Sequence, residues 1–489
     1  MDLLLAIDQG TTATVALIIN SLGQVVSKHS QNYPQHYPKE GFVEHYGTEI
    51  KESVKIAVTK AISNAQINPK NIKGVGVTNQ RETLCIFDKQ NNPVMPFIVW
   101  QCRRSTEICQ QLKNNNFSSF IQEKTGLLLD PYFSASKILW LFKEYPYLKK
   151  DCEQNKLLLG TVDSFITHWF SGGELHITDI TNASRTMLMD IDTKAWSKEL
   201  LELFEVPLQA LPTIVDNSSI YGYTKGLSFL PDGIAIAALA GDQQAALFGQ
   251  TCFNKGDAKA TFGTGCFILL NTGEEKILSK HGLLTSIAYK LKNKTNYCLE
   301  GSAFVAGAAI DFLVNSLGII NKVEDVETLA KEVVSSEGVI FVPALCGLGT
   351  PFWQPHARGV LAGLSRGSTK AHIARAVLEG VALQNEAIFS AMAKDGLKPS
   401  CIKIDGGAST NDLWMQIQAD ITDVPSYADR EQQKTALGVA YLAGLALNLF
   451  DIESIKSFNQ VNKYFSPNMN KWERQSLIER YQKIINNNY

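Results

Sequence analysis

Asp8 is a candidate metal ligand at the end of a short apolar run, and Gly10, Thr11 and Thr12 follow it. Glycine lets backbone N–H groups approach a ligand closely, and the two hydroxyls beside it add donors. A carboxylate without a basic neighbour in the sequence suits Mg²⁺, which binds few carboxylates and retains its waters. The segment 3–20 therefore predicts a phosphate-binding hairpin with a metal carboxylate, or else an ordinary β-hairpin with a polar turn.

A second segment, 256–271, repeats this order of strand, Gly/Thr turn and apolar strand, with Gly263, Thr264 and Gly265 at its turn. Two such hairpins in corresponding places of two α/β halves indicate an internal duplication. Two half-sites with backbone donors could clamp one nucleotide. The sequence contains no G-x-x-x-x-G-K-[ST] and no G-x-G-x-x-G after a strand, so P-loop and dinucleotide-binding folds have no support.

Polar clusters follow three predicted strands, and other patterns predict the elements around them. Strands 72–78, 96–100 and 235–240 end in Asn-Gln-Arg-Glu-Thr, Gln-Cys-Arg-Arg and Gly-Asp-Gln-Gln respectively. Open α/β sheets bind their ligands at such strand ends. Further predicted elements are a helix over 50–64, a strand over 402–405, a closely packed helix of small residues over 435–444, and a frayed end over 486–489.

The bulk composition is that of an enzyme-sized globular protein. The 489 residues are too many for one core, and we predict domains 1–249 and 250–489. A formal net charge of −2 gives no electrostatic reason to expect nucleic acid or membrane binding. Nine scattered cysteines favour a reducing compartment, and no apolar run reaches the roughly 20 residues that span a bilayer. We therefore expect a cytoplasmic enzyme.

Eight motifs, in order along almost the whole chain, resemble those of the FGGY carbohydrate kinases. They are DQGTT (8–12), NQRET (79–83), WQCRR (100–104), DPYF (130–133), TNASRTM (181–187), GDQQAALFGQ (241–250), GTGCF (263–267) and DGGA (405–408). The second and third motifs resemble the members that phosphorylate glycerol rather than pentuloses or gluconate. The resemblance implies an α/β fold of duplicated ribonuclease-H-like (actin-like ATPase) domains, with ATP and Mg²⁺ in an interdomain cleft. It also implies transfer to the 3-hydroxyl of glycerol, and a homo-oligomer, either a dimer or a tetramer.

The resemblance also assigns the site residues. It places glycerol against Arg81, Glu82, Trp100, Tyr132, Asp242, Gln243 and Phe267. The chemistry agrees, because each hydroxyl of a small triol needs a charged or amide partner and its CH edge needs an apolar wall. Taken singly, Trp100 could instead belong to the core, and Arg81 with Glu82 could be a surface ion pair.

Asp242 takes the role of base in this resemblance, accepting the proton of the attacking hydroxyl. A carboxylate is a weak base for an alcohol, but the loose transition state of phosphoryl transfer requires little early proton removal. The alternative is that Asp242 caps the helix that follows it, and both roles can hold.

Nucleotide contacts are implied on both hairpins. They fall on Thr11, Thr12, Ala13, Thr264, Gly307, Asp311, Gly407 and Asn411. Thr12 and Thr264 would contact the phosphates, Gly307 and Asp311 the ribose, and Gly407 and Asn411 the adenine. Asp8 would serve Mg²⁺ through water.

Three positions depart from the family pattern. Val15 replaces a basic residue that commonly reaches the transferring phosphate, so we expect reduced turnover or a substitute cation such as Arg81 or Lys259. Asp311 stands where an amide is common, which weakens the ribose assignment. The segment 225–231 lacks the Gly-Gly-Thr-Arg loop that binds a sugar bisphosphate effector in some bacterial relatives, and we expect no such inhibition.

Two alternative functions remain at this point. One is a kinase for another small polyol or a ketose, against which Arg81, Glu82 and Trp100 argue. The other is a non-catalytic actin-like regulator or ATPase, which Val15 would favour. An intact Asp242 argues against a regulator, since a regulator has no evident need for a base.

Overall fold

A computed structural model of the chain describes residues 2–429, 431–459 and 461–489. The strands are β1 (Leu3–Gln9), β2 (Ala13–Asn20), β3 (Val25–Asn32), β4 (Glu44–His45), β5 (Ile72–Asn79), β6 (Cys85–Asp88), β7 (Phe97–Ile98), β8 (Leu157–Gly160), β9 (Ile177–Asp179), β10 (Met189–Asp190), β11 (Ala195–Trp196), β12 (Thr213–Val215), β13 (Ser218–Tyr223), β14 (Ala235–Gly241), β15 (Asp257–Phe262), β16 (Cys266–Gly273), β17 (Leu284–Leu291), β18 (Lys294–Ala303), β19 (Ile340–Val342), β20 (Val360–Ala362), β21 (Cys401–Asp405), β22 (Ser426–Asp429) and β23 (Val461–Phe465).

The α-helices are α1 (Gly47–Ala65), α2 (Thr106–Asn114), α3 (Ser118–Thr125), α4 (Ser134–Glu144), α5 (Pro146–Glu153), α6 (Val162–Phe170), α7 (Ile180–Ala183), α8 (Lys198–Leu203), α9 (Asp242–Gly249), α10 (Gly307–Asn315), α11 (Asp325–Ala330), α12 (Lys370–Lys394), α13 (Asp412–Thr422), α14 (Lys434–Ala446), α15 (Ile452–Phe458) and α16 (Lys471–Asn488). Short 3₁₀ helices cover Pro69–Asn71, Leu208–Ala210 and Gly407–Thr410.

The chain folds into two compact units. The first comprises Met1–Thr251, Thr285–Tyr297 and Lys434–Asn459, and the second comprises Cys252–Leu284, Cys298–Gln433 and Gln460–Tyr489. The predicted domains 1–249 and 250–489 differ from these units in three segments, 250–251, 285–297 and 434–459. The units are therefore not two uninterrupted halves of the sequence.

Helix α14 belongs to the first unit because its small residues allow very close packing. A Cβ at Gly438 would overlap the carbonyl oxygen of Ala245 in α9, and a Cβ at Gly249 would overlap the carbonyl oxygen of Lys434. The same helix packs on β1, β5 and β14. The prediction that this small-residue helix serves close packing is confirmed.

The first unit is built on a six-stranded sheet with the order β13-β14-β5-β1-β2-β3. β1, β2 and β3 form an antiparallel meander, whereas β5 and β14 continue the sheet parallel to β1. The side chains of β1 are almost wholly buried, which accounts for its continuous apolar run. Helix α1 packs on this sheet through a stripe that includes Ile50, Val54, Ala57 and Ala61.

The second unit repeats this plan. From Cys298 onward β18 lies next to β16, and the order continues β15-β21-β22-β23. β15 and β16 are an antiparallel hairpin, and β21 and β22 continue parallel to β15. Each unit thus has an antiparallel hairpin, as predicted from the two Gly/Thr turns, and two further strands continue the sheet parallel to the first strand of that hairpin. The predicted fold class is confirmed.

Most predicted elements lie where the sequence placed them. The helix over 50–64 begins earlier, at Gly47, and the strand over 96–100 is limited to Phe97–Ile98. The expected fraying over 486–489 is wrong, because α16 continues to Asn488 and the Tyr489 hydroxyl donates a hydrogen bond to the carbonyl oxygen of Arg358.

Candidate active site

The β1–β2 hairpin places Asp8 directly opposite Val15 and beside Thr78 of β5. Burial, together with the nearby Asp242 carboxylate, raises the pKa of the Asp8 carboxyl to about 7. Cross-strand partners project on the same face of a sheet, so the Val15 side chain adjoins Asp8 without neutralising it. The hairpin therefore presents a carboxylate that a cation would stabilise.

The ends of β5 and β14 bring Arg81 and Asp242 together. Arg81 is buried, and its Nε lies 3.2 Å from Oδ1 of Asp242 and 3.8 Å from Oε1 of Glu82. A further Arg81 nitrogen donates to Oε1 of Gln244 at 3.1 Å. This is a buried charge cluster at a strand end, so the alternative of a surface ion pair is wrong.

Asp242 is the first residue of α9, and Gly241 is its N-cap. Its Oδ1 accepts the backbone N–H of Gln243 at 2.7 Å, and 27% of its side chain remains exposed. The carboxylate thus supports the start of the helix, although not from the N-cap position that the sequence suggested. The second carboxylate oxygen retains acceptor capacity for a substrate hydroxyl.

Glu82 is held by a residue to which the sequence assigned no role. Its Oε1 accepts the Nε–H of the fully buried Arg185 at 2.6 Å, and its φ of 61° lies in the left-handed region. Non-glycine residues adopt this conformation mainly where the surroundings impose it, often at functional sites. Arg185 also donates to Ser286 at 2.9 Å. The only signal in the sequence was its place in the TNASRTM motif.

Trp100 and Tyr132 form an aromatic corner beside this cluster. Their ring centroids lie 5.5 Å apart at an interplanar angle of 62°, and the Arg185 guanidinium lies 5.5 Å from the Tyr132 ring. The Trp100 indole donates to the Thr11 hydroxyl at 2.9 Å, and the residue is only partly buried. Trp100 is therefore not a fully buried core residue.

The second hairpin borders a cavity of about 440 Å³ within the second unit. Its turn is tied to the start of α10, because Gly263 and Thr264 carbonyl oxygens accept the N–H groups of Gly307 and Ala306 at 3.0 and 2.7 Å. The cavity brings together the five nucleotide-binding residues predicted in this unit, namely Thr264, Gly307, Asp311, Gly407 and Asn411.

The charged residues that line this cavity are acidic. Asp311, Glu324 and Glu327 line it, and the residues that line it in the described part of the chain include no Lys or Arg. Carboxylates accept hydrogen bonds from ribose hydroxyls and from an exocyclic amine, but they repel phosphate. Asn411 also caps α13, since its Oδ1 accepts the N–H of Trp414 at 2.9 Å.

The remaining predicted residues divide between the units. Thr11 and Thr12 lie in the turn of the first hairpin, Ala13 begins β2, and Gln243 is a buried residue that follows Asp242 in α9. Phe267 lies on β16 of the second unit, whereas the other predicted glycerol-binding residues belong to the first unit.

The suggested substitute cations are already engaged. Arg81 faces Asp242, and the buried Lys259 donates to the Thr261 hydroxyl at 3.0 Å and to the Phe267 carbonyl oxygen at 3.2 Å. No cluster of three or more His, Cys, Asp or Glu side chains suited to a metal ion occurs among the described residues. Asp8 and Asp242 fit Mg²⁺ chemically, because this ion takes one or two carboxylates and completes its shell with water and phosphate.

Comparison with known proteins accounts for nearly the whole chain. The profile of the FGGY family of carbohydrate kinases, N-terminal domain, matches residues 3–249, and that of its C-terminal domain matches residues 258–447. A glycerol kinase of Bdellovibrio bacteriovorus is 48% identical over 486 residues, which are 99% of this chain and 98% of that one. Glycerol kinase 2 of Thermotoga maritima is 45% identical over 488 residues, 99% and 98% of the two chains.

Solved structures agree with this result. The Plasmodium falciparum glycerol kinase with ADP superimposes with a TM-score of 0.92 at 32% identity, and the match covers 100% of this chain and 98% of that chain. A ligand-bound xylulose kinase from Lactobacillus acidophilus gives a TM-score of 0.88 at 24% identity, with 99% and 97% coverage, and shares the fold.

No helix in the described part of the chain is both long and apolar enough to cross a bilayer.

Proposed function

The chain belongs to the FGGY family of carbohydrate kinases, and we propose on this premise that it transfers the γ-phosphoryl group of ATP to glycerol, giving sn-glycerol 3-phosphate. Similarity to glycerol kinases extends over 99% of the chain at 45–48% identity. The observation that carries the proposal is the partly exposed Asp242 carboxylate, held by Arg81 next to Glu82. Alcohol phosphorylation needs this combination of an acceptor for the hydroxyl proton and groups that orient the other hydroxyls.

The acceptor site acts mainly by orientation. Arg81 and Glu82 offer a donor and an acceptor on rigid strand-end backbone, and Trp100 with Tyr132 offers an apolar wall for the CH edge of glycerol. Removing either polar group would leave its buried partner unsatisfied, which gives discrimination against acceptors that lack the matching hydroxyl. Glycerol bound in this way presents one hydroxyl to Asp242.

Asp242 accepts the proton of the attacking hydroxyl late in the reaction. Its Oδ1 is engaged by Arg81 and by the Gln243 N–H, so Oδ2 is the oxygen left for the substrate. In a loose transition state the bond to the leaving group breaks before much proton transfer, so positioning counts more than basicity.

The nucleotide side of the site is proposed from both hairpins. The second-unit cavity would hold the adenosine, with Asp311 at the ribose and Gly407 and Asn411 at the base. The turns at 10–13 and 263–265 would offer backbone donors to the phosphates. Mg²⁺, held by Asp8 through water, would neutralise charge on the transferring phosphoryl group.

The test is a coupled assay of ADP release with Mg·ATP, with and without glycerol. Asp242→Asn keeps the shape of the side chain but cannot accept the proton, and we expect glycerol-dependent kcat to fall about 10²–10⁴-fold. The control is Asp151→Asn, which makes the same change at a carboxylate of α5 that is paired with Lys156. We expect this variant to have wild-type kinetics. Chelation of Mg²⁺ should abolish the activity of all three proteins.

Other outcomes would redirect the assignment. ADP release that does not depend on glycerol would indicate another acceptor, such as a different polyol or a ketose, or a bare ATPase. ATP binding without any release would indicate a regulator. We also propose a cytoplasmic location and a dimer or tetramer, which fractionation and sedimentation velocity would test. The nine cysteines are scattered along the sequence without a C-x-x-C pair, which is consistent with a reducing compartment.

A further inference from the structure

A buried pair of carboxylates lies behind the strand ends of the first unit. Asp163 is the second residue of α6, and Asp179 is the last residue of β9. Neither side chain is exposed to solvent. The Asp179 backbone N–H donates to Oδ2 of Asp163 at 3.2 Å, and the charge of Asp179 acts on the Asp163 carboxyl. Burial, together with the charge of Asp179, raises the pKa of Asp163 to about 7, and burial raises the pKa of Asp179 as well. Two such carboxylates do not both ionise easily.

The donors around the pair distinguish its members. Asp179 accepts five hydrogen bonds, from the N–H and hydroxyl of Thr181 at 2.6 and 2.5 Å, from the N–H and amide of Asn182 at 3.4 and 2.7 Å, and from the amide of Asn217 at 2.7 Å. Four of these donors are N–H groups, which cannot reverse direction. Asp179 is therefore surrounded by groups that require a carboxylate.

Asp163 has a different environment. Two of its partners are the hydroxyls of Thr161 and Thr178, at 2.5 and 2.7 Å, and the backbone N–H groups of Asp179 and Ser164 also donate to it. A hydroxyl can accept as well as donate, so a protonated Asp163 keeps a complete set of hydrogen bonds. The proton shared by the pair consequently belongs on Asp163.

The Asp179 shell continues to the strand ends that carry the site. The Thr181 hydroxyl, while donating to Asp179, accepts the N–H of Gly241 at 2.9 Å, immediately before Asp242. The Asn182 amide exchanges hydrogen bonds with the Asn79 amide at 3.0 and 3.1 Å, two residues before Arg81.

We propose that Asp179, ionised and with the neutral Asp163 beside it, is a positioning residue that fixes the ends of β5 and β14 and thereby sets Arg81 and Asp242 for phosphoryl transfer. The inference rests on the proposed function for its kinetic readout. In this proposal the Thr181 hydroxyl connects Asp179 to Gly241, the residue immediately before the base Asp242.

Two threonines provide a matched test. Thr181→Val and Thr178→Val each replace a buried hydroxyl that donates to one carboxylate of the pair, but only Thr181 also contacts Gly241. We expect similar small losses in melting temperature, whereas glycerol-dependent kcat should fall about tenfold in Thr181→Val and less than about twofold in Thr178→Val. Equal kcat losses, or an unchanged kcat in Thr181→Val, would overturn the proposal.

Asp163→Asn tests which carboxylate is neutral. Asparagine imitates a protonated acid, so we expect kcat within about threefold of the wild type, and a loss of more than about tenfold would contradict the assignment.

Hydrogen exchange separates this proposal from the function itself. The amide of Gly241 should exchange faster in Thr181→Val than in Thr178→Val, measured by mass spectrometry on a peptide covering residues 235–249 in the full-length protein. If the wild type phosphorylates no glycerol, the proposed function fails, but this comparison still decides whether the tether exists.

Discussion

The β1–β2 and β15–β16 hairpins share a backbone plan but carry different chemistry. In the first, the second residue pair from the turn is Asp8 opposite Val15; in the second, it is Thr261 opposite Phe267. The first hairpin adjoins the charged strand ends with Arg81 and Asp242, whereas the second is tied by backbone hydrogen bonds to the rim of a cavity. The two hairpins thus share a backbone plan, while the first borders charged side chains and the second borders a cavity.

The largest expected effect is a loss of stability caused by a backbone clash in the β15–β16 hairpin. A Cβ at Gly265 would lie 2.6 Å from the Ala303 carbonyl oxygen, whereas a Cβ at Gly263 would meet nothing nearer than 4.0 Å. We expect Gly265→Ala to lower the free energy of unfolding by about 3 kcal/mol, because the hairpin must move away from β18. Gly263→Ala is the matched control, and thermal and urea unfolding of both variants would show a difference or refute the steric argument.

The next effect concerns the β1–β2 hairpin, in which Val15 replaces a basic residue. Val15→Arg would place a guanidinium opposite Asp8, and we expect kcat to rise about thirtyfold, equivalent to roughly 2 kcal/mol of transition-state stabilisation. Val15→Leu, which adds bulk without charge, should leave kcat near the wild-type value. Unchanged kcat and KM in Val15→Arg would show that the position needs no cation.

A smaller effect follows from the pKa of Asp8. Since this pKa is raised to about 7, the carboxylate form predominates above pH 7 and is lost as the pH falls below it. At pH 6 about one tenth of the protein would retain the charge, so kcat/KM for Mg·ATP should fall up to about tenfold from pH 8 to pH 6. In Val15→Arg the inflection should move to lower pH. An inflection that stays in place would dissociate the profile from Asp8.

The last prediction is that a sugar bisphosphate has no effect on activity. Fructose 1,6-bisphosphate should not inhibit, because the segment 225–231 lacks the basic Gly-Gly-Thr-Arg loop and its Lys225 is paired with Glu174 at 2.5 Å. The Asp232 carboxylate, which accepts the Gly226 N–H at 2.7 Å, adds negative charge beside it. Saturable loss of activity during a titration would overturn this prediction.

The sequence alone determined the local elements and the order of the motifs. Apolar runs predicted β1, β5, β14 and β21, and the Gly/Thr turns predicted two hairpins, because strand burial and turn chemistry depend on neighbouring residues. Polar residues after strands indicated where ligands bind, and their resemblance to a family indicated what they bind. These conclusions needed no knowledge of which distant residues meet.

Only the tertiary structure decided the contacts that give those residues their properties. The raised pKa of Asp8 depends on burial and on Asp242, and Glu82 is held by Arg185, more than 100 positions away in sequence. Helix α14 joins the first unit because two glycines let backbones touch, which no hydrophobic pattern records. Periodicity describes the chain within one element, whereas charge, desolvation and close packing depend on the elements that folding brings beside it.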